Sequence, residues 1–106
     1  PTISRADPDE QYYLNLFWRY FNTGYWEWRS NGVCLTLESK LNYWSSSDKA
    51  NGWAATYTKF RNSANWKNTS VMQQQFYCHA RLGYAVASHT WNLEPGRTSM
   101  NPITCN

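Results

Sequence analysis

The fold is decided by residues 25–38, which read YWEWRSNGVCLTLE. In the first half of this stretch, aromatic side chains alternate with their neighbours between the two faces of an extended chain. The dipeptide Asn31-Gly32 is the strongest short signal for a β-hairpin, because both residues accept the positive φ that a type I′ turn requires. The stretch therefore predicts two antiparallel strands, residues 25–29 and 33–38.

Upstream of this hairpin, large side chains alternate between two faces over residues 11–21. This pattern predicts a long strand with both faces partly covered. The Asn-Thr-Gly sequence at residues 22–24 predicts the turn that joins this strand to the hairpin. Residues 1–10 are polar and are expected to form a surface arm. Together these segments predict an N-terminal antiparallel meander of three strands, with one aromatic face that needs cover.

Two amphipathic helices are expected to provide that cover. Apolar residues recur at spacings of three and four over residues 48–62, after a serine-rich segment that contains N-cap candidates. A second helix is predicted from Ser70 to the vicinity of Gly83, with a glutamine at the capping-box position. Residues 84–88 predict a short strand, and residues 90–106 are expected to form an ordered loop.

The composition is that of a folded protein with an aromatic core. The 106 residues include seven Trp, eight Tyr and four Phe, and hydrophobic residues make up 42% of the chain. This content is too high for a disordered chain, and no apolar run approaches the ~20 residues that a membrane span needs. At this size one core, and so a single domain over residues 1–106, is expected.

The charge disfavours one class of partner. Ten Lys and Arg against seven Asp and Glu give a net charge of +3. The basic residues are spread along the chain, whereas a nucleic-acid-binding module usually concentrates them in a stripe or a loop. We therefore expect no dedicated nucleic-acid binding. A small positive charge favours encounter with anionic surfaces such as bacterial envelopes, through long-range attraction.

Three cysteines are present: Cys34, Cys78 and Cys105. They show no CxxC or zinc-finger spacing, so we expect no structural metal, and no motif implies a cofactor. An odd count predicts one disulfide and one remaining thiol. We favour a Cys78–Cys105 bridge, which would tie the C-terminal segment to the core. Cys34 would then be a buried strand thiol or an intermolecular link.

With that bridge, the expected fold class is α+β. It comprises the N-terminal antiparallel three-stranded meander, two helices on one face, and a disulfide-tethered C-terminal loop. The chain starts at Pro1 without a Met or a charged and apolar leader. We therefore expect a secreted, processed product from which a signal peptide has been removed, and release from a longer precursor is the alternative.

The C-terminal third carries a recognisable pattern. Residues 72–79 read MQQQFYCH, residues 90–97 read TWNLEPGR, and the last two residues are Cys-Asn. This arrangement resembles domain-of-unknown-function family 2599, found in exported proteins of actinobacteria and some other bacteria. The specific match covers residues 72–106, and a looser match extends back to the hairpin. The resemblance implies a secreted domain and supports the Cys78–Cys105 bridge, but it implies no activity.

The chain departs from the family pattern at two positions of its C-terminal segment. A second Trp is common in the family where this chain has Gly96, and a Pro commonly follows the Arg where this chain has Thr98. The outer surface of this loop is therefore expected to differ from that of other members.

One set of residues could form an acid–base site: His79, Glu94 and Arg97. A His beside a carboxylate can exchange protons near neutral pH, and an Arg can stabilise developing negative charge. We favour a structural alternative, in which His79 bonds a backbone carbonyl while Glu94 and Arg97 pair and brace the terminal loop. No GxSxG, HExxH or phosphate-binding glycine loop is present. Binding is therefore favoured over catalysis.

Five rings around the predicted meander are more than one small sheet face can bury: Trp18, Trp26, Trp28, Tyr43 and Trp44. Exposed rings beside amide and hydroxyl side chains can stack against sugars or lie at a lipid interface. The structural alternative is that they form the core because aliphatic residues are scarce. These five residues are the predicted binding residues.

Three functions fit these features. The leading hypothesis is a secreted antibacterial protein of the bacteriocin or toxin type, which acts on or through the envelope of a competing cell. Such a protein would have an immunity protein as a further partner. The alternative is a non-enzymatic module that binds a glycan or the cell wall. A second alternative is a small hydrolase that uses His79, Glu94 and Arg97.

Overall fold

The computed structural model describes residues 8–30, 32–82 and 89–106. In chain order these residues form helix α1 (Pro8–Tyr20), strands β1 (Phe21–Arg29) and β2 (Gly32–Ser39), helices α2 (Ser46–Phe60) and α3 (Thr69–Leu82), and strand β3 (Thr90–Leu93). The strands form one antiparallel sheet in the order β1-β2-β3. The α+β class predicted from the sequence is confirmed.

The predicted hairpin forms two of the three strands. β1 and β2 pair from Phe21 opposite Ser39 to Arg29 opposite Gly32. Gly32 has a φ of +122°, a conformation that glycine adopts at no steric cost. The predicted turn falls partly on Asn31, which lies outside the described residues. Both predicted strands of the hairpin are confirmed, within somewhat longer elements.

The prediction of a strand over residues 11–21 is wrong, because nearly all of this segment belongs to α1. Its more buried side chains recur at helical spacings of three and four, at Tyr13, Leu14, Leu16, Phe17 and Tyr20. Since almost every position carries a large side chain, the segment shows an alternation as well as a helical period. The ends favour the helix, with a proline and two acidic residues in the first turn and an arginine in the last.

The predicted surface arm over residues 1–10 is corrected at its end. Residues 8–10 belong to the first turn of α1, and residues 1–7 lie outside the described part of the chain. The prediction of an N-terminal three-stranded meander is corrected as well, because its first strand belongs to α1. The third strand of the sheet is β3, which lies far along the chain, and it replaces the strand predicted before the hairpin.

β3 lies within the segment that was predicted to be a loop, residues 90–106. It pairs with β2 from Leu93 opposite Leu35 to Thr90 opposite Glu38. Four residues are too few to show a period of two, and the partner strand is distant in sequence. Only tertiary pairing therefore identifies this strand.

Both predicted helices are confirmed. α2 begins and ends two residues before its predicted limits, and α3 begins one residue before its predicted start. Ser45 caps α2, since its hydroxyl accepts from the Asp48 N–H at 3.1 Å and the Asp48 carboxylate accepts from the Ser45 N–H at 3.2 Å. The short strand predicted over residues 84–88 lies outside the described residues.

The core consists largely of rings, as the composition predicted. Trp44 is 2% exposed, and its ring centroid lies 5.2 Å from those of Tyr20 and Trp91 and 5.5 Å from that of Phe21. A Cβ at Gly52 would lie 2.5 Å from the Trp44 ring, so α2 approaches this ring closely only because it carries a glycine there. The sheet and all three helices contribute to this cluster.

The predicted disulfide between Cys78 and Cys105 is confirmed, and it joins α3 to the C-terminal segment with 5.3 Å between the Cα atoms. Cys34 is a buried free thiol in β2, one of its two predicted states.

No helix among the described residues is long and apolar enough to cross a membrane. The same part of the chain contains no group of three or more His, Cys, Asp or Glu that could hold a metal ion.

Candidate functional site

The five rings predicted to bind a ligand divide into buried and exposed ones. Trp44 lies in the core, and Trp26 is half-buried and packs against the core. The other three are exposed, Trp18 by 46%, Trp28 by 74% and Tyr43 by 79%. Of the five residues, only these three leave a large part of the side chain exposed to solvent.

The three exposed rings lie at opposite ends of the sheet. Trp28 lies at the hairpin end, opposite Val33. Trp18 precedes β1 and Tyr43 follows β2, so both belong to the other end. The nine residues of β1 span roughly 25–30 Å, at about 3.3 Å per residue. The predicted binding residues therefore form no single surface.

A groove of about 580 Å³ lies beside Trp28 at the hairpin end. β3 ends at Leu93 opposite Leu35, so the hairpin extends beyond β3 and leaves space next to its tip. The opposite walls come from the loop between α2 and α3 and from the segment that follows β3. Their polar lining residues are Asn65, Lys67, Glu94 and Arg97.

Two predicted catalytic residues lie in this groove as an ion pair. The Glu94 carboxylate accepts a hydrogen bond from Arg97 Nε at 3.0 Å. The predicted pairing of these two residues is thereby confirmed. Because the guanidinium occupies one carboxylate oxygen, the pair braces the wall of the groove.

Two amides anchor the segment after β3, which forms one wall of the groove. Gln75 is fully buried on α3; its Nε2 donates to the Glu94 carbonyl at 2.9 Å, and its Oε1 accepts from the Glu94 N–H at 2.7 Å. Asn68 adopts a left-handed φ of +56°, and its Nδ2 donates to the carbonyls of Pro95 and Arg97, at 3.2 Å for the latter. A groove with walls held in this way needs little reorganisation on binding.

His79, the third catalytic candidate, lies in the interior. The residue is 7% exposed, and its ring stacks on that of Trp91, with 5.6 Å between centroids and 12° between planes. Burial lowers the pKa of His79, while hydrogen bonding to the Asn106 side chain and the Asn92 backbone opposes the shift. Within the described residues, His79 Nε2 and Asn106 Oδ1 are buried atoms that make no hydrogen bond of good geometry. These contacts hold a neutral imidazole as part of the core.

The segments that carry the family resemblance therefore contact one another. Gln75, Cys78 and His79 follow at spacings of three and four and so share one side of α3. They bind, respectively, the Glu94 backbone, Cys105 and the Trp91 ring. We call this set of contacts the α3 clamp.

The profile of a family described as "Protein of unknown function (DUF2599)" matches residues 23–105. The chain belongs to this family. The resemblance inferred from the last third of the sequence is thus confirmed, and the match also takes in most of the hairpin and all of α2. No curated protein and no solved structure matches this DUF2599 chain.

The sheet face opposite the core carries a polar network in this DUF2599 protein. The buried Thr36 hydroxyl lies 3.0 Å from Glu27 Oε1 and 2.9 Å from Asn92 Oδ1. Hydrogen bonds from Arg29 and then Thr36 lower the pKa of Glu27. A cavity of about 420 Å³ adjoins this network, lined in part by Arg29, Asn92 and the free thiol residue Cys34. Since these polar groups bond one another, they hold the outer face of the sheet together.

The sequence predicted Trp28, Glu94 and Arg97 as site residues of this family member, but not Asn65, Lys67 or Asn68. Asn65 and Lys67 lie in an aperiodic loop, where no pattern indicates which side chains meet. Asn68 has a role that depends on its backbone conformation. For Gln75 a signal existed, since it lies one turn before Cys78 within the MQQQFYCH segment, on the side of α3 that faces the bridge.

Proposed function

We propose that this DUF2599 protein binds a glycan of the bacterial cell envelope, without cleaving it, at the groove beside Trp28. One observation carries the proposal. An indole that is 74% exposed forms one wall of a groove whose other walls offer an amide, an ammonium and a carboxylate–guanidinium pair.

An exposed indole beside a groove favours a ligand with an apolar face. Burial of a large apolar side chain stabilises a protein or a complex by about 1.5–3 kcal/mol. An exposed ring gains this free energy only when a ligand covers it. A sugar ring offers a flat face of C–H groups for stacking and hydroxyls around its edge. The Asn65 amide can donate to and accept from those hydroxyls, and the Lys67 ammonium can donate to them.

The hydrolase alternative lacks this geometric support. Glycosidases generally place two carboxyl groups on either side of the bond that they break. Among the described residues that line the groove, Glu94 is the single carboxylate, and it is bonded to Arg97. His79 is buried against Trp91 and forms part of the α3 clamp.

Secretion is part of the proposal, and the Cys78–Cys105 disulfide supports it, because such bonds persist in oxidising compartments. The antibacterial activity expected from the sequence stays a prediction. A protein that kills through the envelope would use the same binding step first, and its net charge of +3 would favour that encounter.

Sedimentation with insoluble peptidoglycan tests the proposal. The bound fraction is measured for the unmodified protein, for Trp28→Ala and for Tyr43→Ala. Both rings are exposed, so both variants are expected to keep their melting temperature within a few degrees. Tyr43 lies at the other end of the sheet and serves as the matched control. We expect Trp28→Ala to bind at least about tenfold more weakly, which corresponds to about 1.4 kcal/mol, and Tyr43→Ala to bind normally.

Two outcomes would contradict the proposal. The first is that the unmodified protein is retained neither on peptidoglycan nor on chitin or teichoic acid. The second is that Trp28→Ala and Tyr43→Ala bind equally well, which would show that the groove makes no contribution of its own.

A further inference from the structure

We infer that the groove beside Trp28 recognises an anionic glycan, with Lys67 as the residue that contacts its negative group. This inference rests on the proposed function and adds the chemical class of the ligand. It depends on the charge of the groove and on how the chain holds Lys67.

Lys67 is the cation of the groove that has no ion-pair partner among the described residues. It is exposed, and within residues 8–30, 32–82 and 89–106 no carboxylate lies within 4.0 Å of its ammonium. Arg97 differs, because it is paired through Nε with Glu94 at 3.0 Å, and this carboxylate balances its charge. The charged lining residues therefore sum to one unit of positive charge, carried by Lys67. A ligand with a negative group would complement it.

The backbone on both sides of Lys67 is anchored. Before it, Trp66 packs its ring on those of Trp53 and Tyr57, at centroid distances of 6.0 and 5.8 Å, and Trp66 Nε1 donates to Thr69 at 2.8 Å. After it, Asn68 is bonded to two carbonyls of the opposite wall. The loop thus holds the backbone of Lys67 beside the groove, while the ammonium at the end of its side chain stays free to bind. This reduces the ordering cost of a charged contact.

The negative group can come from two sources in an envelope glycan. Peptidoglycan carries carboxylates, and teichoic acids carry phosphates. Chitin is a neutral glycan and supplies the uncharged comparison. The test therefore compares binding to three polymers, at low and at high ionic strength: peptidoglycan freed of teichoic acid, purified wall teichoic acid, and chitin.

We expect tighter binding to at least one of the anionic polymers than to chitin. Added salt should weaken the anionic interaction alone, because it screens exposed charges. Lys67→Gln should lower anionic binding about threefold to tenfold, in keeping with an exposed or partly exposed charge contact, and should leave chitin binding unchanged. Lys67→Arg keeps the charge and should retain most of the affinity. The preferred anionic polymer identifies the carboxylate or the phosphate as the recognised group.

Lys49→Gln is the matched control. It makes the same change of charge near the start of α2, and that end of the helix lies far from the groove. The contact between Tyr20 and Asp48, at 3.2 Å, places this end of α2 beside the end of the sheet where Phe21 pairs with Ser39. We expect Lys49→Gln to bind all three polymers as the unmodified protein does.

The inference and the proposed function fail in different ways. Equal affinity for chitin and both anionic polymers, or an effect of Lys67→Gln no larger than that of Lys49→Gln, would overturn the inference while the glycan site stands. Normal binding by Trp28→Ala would overturn the proposed function itself.

Discussion

The groove beside Trp28 and the α3 clamp use their side chains in opposite ways. The clamp contains His79, a residue able to move protons, and buries it against Trp91 in the core. The groove contains Trp28, a residue suited to a core, and leaves it 74% exposed. The comparison teaches that the chemical type of a side chain does not identify a site in this protein; its solvent exposure does.

The two regions are also physically linked. Glu94 belongs to both, since its backbone is held by Gln75 of the clamp and its carboxylate is bonded to Arg97 in the groove. The clamp therefore positions one wall of the groove. Variants of the clamp should lower stability first and binding second, whereas variants of the groove should lower binding alone.

Removal of the disulfide breaks the clamp and should have the largest effect on stability. The bridge closes a loop with a sequence separation of 27 residues, for which the chain-entropy model gives roughly 3–4 kcal/mol. We expect the double variant Cys78→Ala, Cys105→Ala to lose that much free energy of unfolding in a denaturant titration. Cys34→Ala is the control and should lose about 1 kcal/mol, a typical value for a point change. Similar losses in the two proteins would contradict a structural role for the bridge.

Replacement of Gln75 should have the next largest effect. Gln75→Leu fits a buried position but leaves the N–H and carbonyl of Glu94 without partners, which should cost about 2–3 kcal/mol of unfolding free energy. It should also weaken glycan binding, because the Glu94 wall is released. The exposed neighbour Gln74 supplies the control, and Gln74→Leu should change neither quantity measurably. A Gln75→Leu protein as stable as Gln74→Leu would show that these bonds contribute little.

The smallest expected effect is the pH dependence that His79 of the clamp gives to the free energy of unfolding. Burial holds the pKa of His79 below the ordinary value of about 6.5 that the unfolded chain has. The unfolded state therefore binds more protons between the two values. This contribution to stability is complete above about pH 6.5 and is lost as the pH falls toward the lower, folded pKa, by at most about 1.4 kcal/mol per pH unit.

Denaturant titrations from pH 7.5 to pH 5 test this contribution. His79→Gln should be less stable at neutral pH and should show a flatter pH profile than the unmodified protein. Gln74→Leu, an exposed change on the same helix that alters no titrating group, should leave the profile as it is. An unmodified protein whose stability does not fall over this range would contradict the assignment of a neutral, buried His79.

The errors of the sequence analysis have specific physical causes. In α1, rings or leucines at most positions produce an alternation that coexists with the helical period of Tyr13, Phe17 and Tyr20. In β3, four residues form a strand only because β2 lies beside them. In both segments the local pattern is ambiguous, and packing against distant residues selects one conformation.

The candidate site shows the same limit. Trp28 was among the predicted binding residues, but so was the buried Trp44, and the sequence treats the two alike. Lys67 and Asn68 were not predicted, because their roles depend on a loop that meets the segment after β3. A groove made from three separate segments leaves no trace in the local pattern of any one of them.

By itself, the sequence determined the hairpin, both later helices, the disulfide and the family, because each depends on a local signal or a specific motif. Tertiary structure alone decided which rings reach solvent. Gly52 lets α2 close over Trp44, whereas β3 ends before the hairpin tip and leaves Trp28 uncovered. The aromatic excess thus becomes a core at one place and the wall of a groove at another, since exposure depends on where neighbouring elements end.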